Sequence, residues 1–112
     1  FVLSAIPPQS LLNVLIKLSN CLLPEGKILI RDYGRYDEAQ LRFLGSSKLS
    51  ENFYVRQDGT CAHFFDIEEL KQLCDSIGLY TEEAYYIRRQ FANRKQKIAR
   101  YRVWIHMKLI KR

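Results

Sequence analysis

The residues Lys27-Ile28-Leu29-Ile30-Arg31-Asp32-Tyr33-Gly34-Arg35-Tyr36-Asp37 decide how the chain is read. An apolar run at 28–30 stands between Gly26 and Gly34, then breaks into alternating charge and aromatic. A short apolar run bounded by glycines predicts a buried strand, as in a parallel α/β sheet. Ligands of such sheets bind beyond the carboxyl ends of the strands. Arg31, Asp32 and Tyr33 then stand where chemistry takes place in that architecture. The same residues would also serve as a capped, solvated strand end, with Arg31 and Asp32 paired for structure alone.

Toward the N-terminus, residues 1–6 are apolar apart from Ser4 and read as the end of a buried strand, stopped by Pro7-Pro8. Leu11, Leu15, Leu18 and Leu22 recur at helical spacing, and Leu12, Val14 and Cys21 widen the stripe. Pro8 suits the first turn of that helix, and Pro24-Glu25-Gly26 ends it. Strand, helix, strand is the parallel crossover unit.

Downstream, residues 37–43 read as a short helix with Ala39, Leu41, Phe43 and Leu44 partly buried, before a Gly45-Ser46-Ser47 loop. Residues 51–65 form an aromatic-rich hairpin or lid turning at Asp58-Gly59. There Arg56, Asp58 and Thr60 gather polar groups beside Tyr54, a pattern that suits a base-binding surface as well as a core. Asp66 with Glu69 three residues on gives a capping-box start, flanked by a Phe65–Leu70 staple. Ile67, Leu70, Leu73, Cys74 and Ile77 make that helix's buried stripe, and Gly78 is its C′ residue. Strands at 82–91 and 101–110 close the chain as a hairpin, with Tyr101, Val103, Ile105, Met107 and Leu109 on one face and Trp104 and Ile110 on the other.

The 112 residues suffice for one small domain, 1–112, with no internal linker or repeat. The start at Phe1 rather than Met suggests a piece of a longer protein. No apolar run approaches the ~20 residues of a membrane helix. Cys21, Cys61 and Cys74 are odd in number and form no CxxC pair, and Cys61 with His63 does not make a metal site. Cys21 and Cys74 fall on apolar helix faces and read as core residues. A reducing, cytoplasmic setting fits such thiols, with a mitochondrial location as the alternative. The net charge of +6 is unevenly spread. All twelve acidic residues lie at or before Glu83, whereas ten of the 18 basic ones lie at 88–112. A basic end of this kind points to a polyanion, nucleic acid first, or else to a solvated hairpin.

Several local words resemble one family. They are Phe1-Val2-Leu3-Ser4-Ala5-Ile6, the stretch from Arg31 to Asp37, Leu41-Arg42-Phe43, the run from Glu51 to Thr60, and Phe64-Phe65. Together they resemble the eukaryotic tRNA 3-methylcytidine methyltransferases of the methyltransferase-like group. Tyr101-Arg102-Val103-Trp104-Ile105, Arg88-Arg89 and Asn93-Arg94 resemble the branch acting on threonine-type tRNAs. The resemblance implies a Rossmann-like class I methyltransferase fold, of which this is the C-terminal half, with the last strand inserted antiparallel beside the fifth. It implies methyl transfer from S-adenosylmethionine to N3 of a cytidine at position 32 of a tRNA anticodon loop. The Gly-rich cofactor loop would lie upstream of Phe1.

On this resemblance Asp32 and Tyr33 are the catalytic candidates, facing the target base. Phe1, Ser4 and Ala5 line the cofactor. Arg31, Tyr54, Arg56, Asp58, Arg88, Arg89, Asn93 and Arg94 contact RNA, with Lys95, Lys97 and Arg100 adding basic charge; no metal is expected. An accessory protein is a further expected partner, and no membrane is. Two positions depart from the family pattern. Cys61 replaces a basic residue after Asp58-Gly59-Thr60, and Leu23-Pro24-Glu25-Gly26 replaces Lys-Pro-Gly-Gly. Three other readings stay open: a non-catalytic RNA-binding module, half of a small-molecule methyltransferase, and an inactive relative kept for complex assembly.

Overall fold

The computed structural model describes residues 1–43, 47–93 and 98–112, the side chains of 91–100 excepted. The central stretch forms strand β1, Lys27–Tyr33. Helix α1, Pro8–Asn20, precedes it with Pro8 in its first turn. After β1 come α2 (Glu38–Arg42), β2 (Lys48–Ser50), β3 (Phe53–Val55), β4 (Cys61–His63) and α3 (Ile67–Asp75). The long strands β5, Leu79–Asn93, and β6, Ile98–Lys111, complete the chain.

The strands form two sheets. In the first the order is β1-β6-β5, and β6 runs antiparallel to both neighbours, so the last strand is inserted as expected. In the second, β2-β3-β4 form a small antiparallel sheet in place of a simple hairpin. Gly59 takes φ +87 in its β3–β4 turn, as the Asp58-Gly59 pair suggests. Ile105, Met107 and Leu109 of β6 are buried together with Leu11, Leu15, Leu70 and Cys74 from the helices, and Val103 is buried farther along the same face. A second cluster of Tyr54, Ala62 and Phe64 gathers Tyr33, Ala39 and Phe43.

Four expectations need correction. Residues 1–6 are not a strand: Leu3–Ala5 is a 3-10 turn whose amides bond three residues back, Ala5 to Val2 and Ile6 to Leu3. Those local bonds use the donors a ladder would need. The parallel crossover is therefore not completed among the described residues, and the hydrogen-bonded neighbour of β1 there is β6. Cys21 lies beyond the end of α1 and is exposed, whereas Cys74 is buried and its thiol is pushed up to about 11 by desolvation. Leu41 is 71% exposed, because the buried residue of α2 is Gln40. Leu44, the Gly45-Ser46 loop and Lys95 to Lys97 fall outside the described residues.

The departure at Glu25 is conformational rather than electrostatic. Glu25 has φ +68, a region where glycine is strain-free and a Cβ is not. Its amide donates to the Lys111 carbonyl at 2.9 Å, while the Lys111 ammonium caps α1 at the Ser19 and Leu22 carbonyls. Glu25→Gly should relieve the strain and raise unfolding stability by about 0.5–1 kcal/mol, net of glycine's entropy, in a urea titration.

Candidate nucleic-acid interface

Along β1, Ile28, Ile30 and Asp32 point to the helix side and Leu29, Arg31 and Tyr33 to the other. The alternative of an Arg31–Asp32 pair is therefore not met; Arg31 lies by His106 Nδ1 at 3.5 Å. Asp32 is 1% exposed. Its Oδ2 accepts from the Ser4 amide at 3.0 Å and its Oδ1 from the Tyr33 amide at 2.8 Å. The carboxylate fastens the 3-10 turn to the strand end and presents no open face to a base.

Beyond Tyr33 the backbone is clamped from both sides. The Gly34 amide donates to the Val103 carbonyl, and the Phe65 amide donates to the Tyr33 carbonyl, each at 2.9 Å. Tyr36 follows at φ +70, a costly conformation for a bulky residue. This bend delivers Asp37 beneath β6. Asp37 is fully buried, and three N–H groups converge on it: Ala39 N at 3.0 Å, Arg102 Nε at 2.9 Å and Val103 N at 2.6 Å. Gln40 forms a second buried hub. Its Oε1 accepts from the Tyr36 amide, and its Nε2 donates to Asn52 Oδ1 and Tyr54 Oη. These two hubs hold α2 between β6 and the small sheet.

The result is a cavity of about 290 Å³ lined by Tyr33, Glu38, Ala39, Arg42, Phe43, Arg56 and Arg102. A neighbouring hollow shares Arg42, Phe43 and Arg56 and extends to Gln57 and Asp58. Tyr54 is excluded from it. The ring is 8% exposed and stacks beneath Phe43 with centroids 4.8 Å apart. Phe43, not Tyr54, presents the aromatic wall. Asp58 is tied into its turn, accepting from Thr60 N at 3.0 Å and Thr60 Oγ1 at 2.6 Å, and these bonds hold its carboxyl below the usual range.

Arg88 and Arg89 are exposed on β5, outside the cavity. Arg89 lies opposite Arg102 in the ladder, so the basic hairpin runs toward the cavity rim. The Asn93 side chain and Arg94 fall outside what is described. At the cofactor positions, Phe1 and Ala5 are exposed, while Ser4 is buried with its amide committed to Asp32. These residues do not fit an S-adenosylmethionine site by themselves: the carboxylate beside them, Asp32, is spent on the Ser4 and Tyr33 amides. Among the described residues no group of metal ligands occurs, and no helix is long and apolar enough to cross a membrane.

No protein-family model matches the chain. It is 50% identical over 99% of its length to the tRNA N(3)-cytidine methyltransferase METTL2 of Xenopus tropicalis, and 48% identical over 99% to METTL2B of Homo sapiens, a tRNA N(3)-cytidine methyltransferase. By sequence, this chain is a relative of the tRNA N(3)-cytidine methyltransferases. It spans about a third of their length, 33% and 29% respectively. An O-methyltransferase 3 of Dictyostelium discoideum is 42% identical over 99% of the chain and is covered to 26%. A SAM-dependent methyltransferase of Methanosarcina mazei superimposes with a TM-score of 0.67 at 15% identity, over 97% of this chain and 55% of that one. The 1,6-didemethyltoxoflavin-N1-methyltransferase of Burkholderia thailandensis superimposes at 0.61 and 15% identity, over 97% and 40%. The fold is that of the C-terminal part of a Rossmann-like methyltransferase.

What sequence reading missed in this methyltransferase relative is Asp37, Gln40, Arg42, Phe43 and Arg102 as one constellation. Arg42 and Phe43 carried a signal, since they stand in the Leu41-Arg42-Phe43 word. The Asp37–Arg102 pair spans 65 positions and has no local signal.

Breaking that pair should show directly. Asp37→Ala removes the acceptor of three N–H groups and strands a partly buried guanidinium, so a loss of about 3–5 kcal/mol is expected in chemical denaturation. Glu38→Ala, which breaks only the exposed Arg42 pair, should cost under ~1 kcal/mol. A pH effect is also expected. Burial lowers the His63 pKa below 6.5, and among the described residues its Nδ1 has no hydrogen-bond partner. The unfolded chain then binds the proton more readily, so this stability is present above 6.5 and is lost as pH falls through the lowered folded value. His63→Gln should flatten the stability profile in that acid window.

Proposed function

We propose that this chain forms the C-terminal part of an S-adenosylmethionine-dependent tRNA methyltransferase that makes 3-methylcytidine in an anticodon loop. The observation that carries the reading is identity near 50% to tRNA N(3)-cytidine methyltransferases over almost the whole chain. The arginine- and aromatic-lined cavity at the carboxyl end of β1 agrees with it. The cofactor's main grip is assigned to residues outside this chain, where it supplies an electrophilic methyl group.

Cytosine N3 carries an in-plane lone pair, so no strong general base is required. What the protein must supply is position: an unstacked base, held with N3 toward the methyl donor. Tyr33 and Phe43 offer ring faces for a splayed base. Asp32 is then a positioning residue, fixing the Tyr33 backbone and the Ser4 turn from below. Arg56 and Asp58 act at the lid side and Arg88 and Arg89 along β5, gripping phosphates with little sequence preference, and Asn93 and Arg94 are proposed for the same role. Threonine-type tRNA is the proposed substrate, supported by the Tyr101 to Ile105 and Arg88-Arg89 words. A reducing cytoplasmic setting agrees with three free thiols, and an accessory protein is a further proposed partner.

Incubation of the full-length protein with threonine-type tRNA and S-adenosylmethionine, read by nucleoside mass spectrometry, should yield 3-methylcytidine. Methylated ribose instead would favour an O-methyltransferase, as the Dictyostelium relative is named. Tyr33→Ala should raise the tRNA KM roughly tenfold through lost stacking, while Tyr33→Phe stays near wild type.

A further inference from the structure

We infer that Arg42, Arg56 and Arg102 form a clamp for a phosphodiester of single-stranded RNA beside the methylated nucleotide, an inference that rests on the function proposed above. Helix α2, the β3–β4 turn and β6 are separate elements, yet each sends one guanidinium to the same cavity. Each is set in place by the protein. Arg102 is held through Nε by buried Asp37 at 2.9 Å and lies over the Tyr33 and Trp104 rings, 6.0 and 5.7 Å from their centroids. Arg56 is oriented through Nη1 by the Cys61 carbonyl at 3.2 Å and Thr60 Oγ1 at 3.4 Å. Arg42 donates to Glu38 Oε1 at 2.7 Å.

The cavity wall therefore holds three cations against one carboxylate, Glu38, with Asp37 buried behind Arg102. Among the described residues Arg56 makes no ion pair, and the terminal nitrogens of Arg102 have no hydrogen-bond acceptor. Guanidinium groups with free edges take oxyanions in bidentate geometry. The chemistry of the reaction says which part of the nucleotide they meet. Methylation at N3 leaves a cationic ring, which a guanidinium alongside would destabilise, and a donor on N3 would block the nucleophile itself. The anionic phosphate is the part that gains from three arginines. Arg102 also faces Arg89 across the β5–β6 ladder, which links the clamp to the exposed hairpin arginines as one phosphate track.

The test uses the full-length enzyme and a fluorescent anticodon stem-loop RNA. Arg42→Gln and Arg56→Gln should each weaken RNA binding about 5- to 20-fold, with cofactor affinity unchanged. Each should lower the slope of log K against log salt by about 0.7 for a single-strand contact. Neutral methylphosphonate linkages, introduced one at a time within two nucleotides of the target cytidine, should include one at which wild type and Arg56→Gln bind equally. Arg102→Lys, which keeps the charge but loses the fork, should retain folding and weaken binding; its own instability would not matter, since the other two variants decide. Unchanged salt slopes in Arg42→Gln and Arg56→Gln would overturn the clamp, as would a binding deficit that persists at every neutral linkage. Failure of the wild type to form 3-methylcytidine would instead count against the proposed function, while the binding series would still judge the clamp.

Discussion

One carboxylate joins parts of this molecule that lie more than sixty positions apart in sequence. Asp37 is fully buried and collects N–H donors from Ala39, Arg102 and Val103. A buried carboxylate without such partners would be strongly unfavourable. The turn after β1, the start of α2 and the middle of β6 are therefore held together. Tyr36 adopts its positive φ because Asp37 has to reach β6, and the Gln40 hub receives the Tyr36 amide on the other side. With α2 fixed in this way, the small sheet docks against it through Asn52 and Tyr54, and the cavity exists between them.

The same constraint sets the electrostatics. By engaging Nε alone, Asp37 orients Arg102 while its charge stays behind the cavity wall. Asp32 does similar work at the strand end, where Ser4 and Tyr33 amides fill its oxygens. Of the two buried carboxylates, one places an aromatic ring and the other places a cation. The basic hairpin adds long-range attraction for a polyanion, while the preset groups decide where it comes to rest.

Much of the fold was legible in local pattern. The α3 stripe, the Asp66 cap and the Asp58-Gly59 turn appear where periodicity and turn chemistry put them, although the Asp66 side chain accepts from Glu68 N rather than Glu69 N; the α1 stripe is buried at Leu11 and Leu15 but leaves Leu18 exposed and ends before Leu22. Alternation along β6 separated Val103, Ile105, Met107 and Leu109, which are buried, from the other face, while Tyr101 of the same set is exposed. What failed were features decided by partners distant in sequence. The 3-10 turn at Leu3–Ala5 is held by Asp32, 28 positions away. Tyr54 looks like a stacking platform in its local word, but Gln40 and Phe43 bury it. The candidate site was therefore legible as a neighbourhood, the end of β1 and the lid, but not as a set of contacts.

Hydrogen exchange of the full-length protein, with and without an anticodon stem-loop RNA, tests most directly whether this cavity receives the nucleotide. Amides at 33–43 and 53–61 should slow on RNA addition, whereas those of α1 and α3 should not change. Protection confined to the β5–β6 hairpin, with 33–43 and 53–61 unaffected, would contradict it.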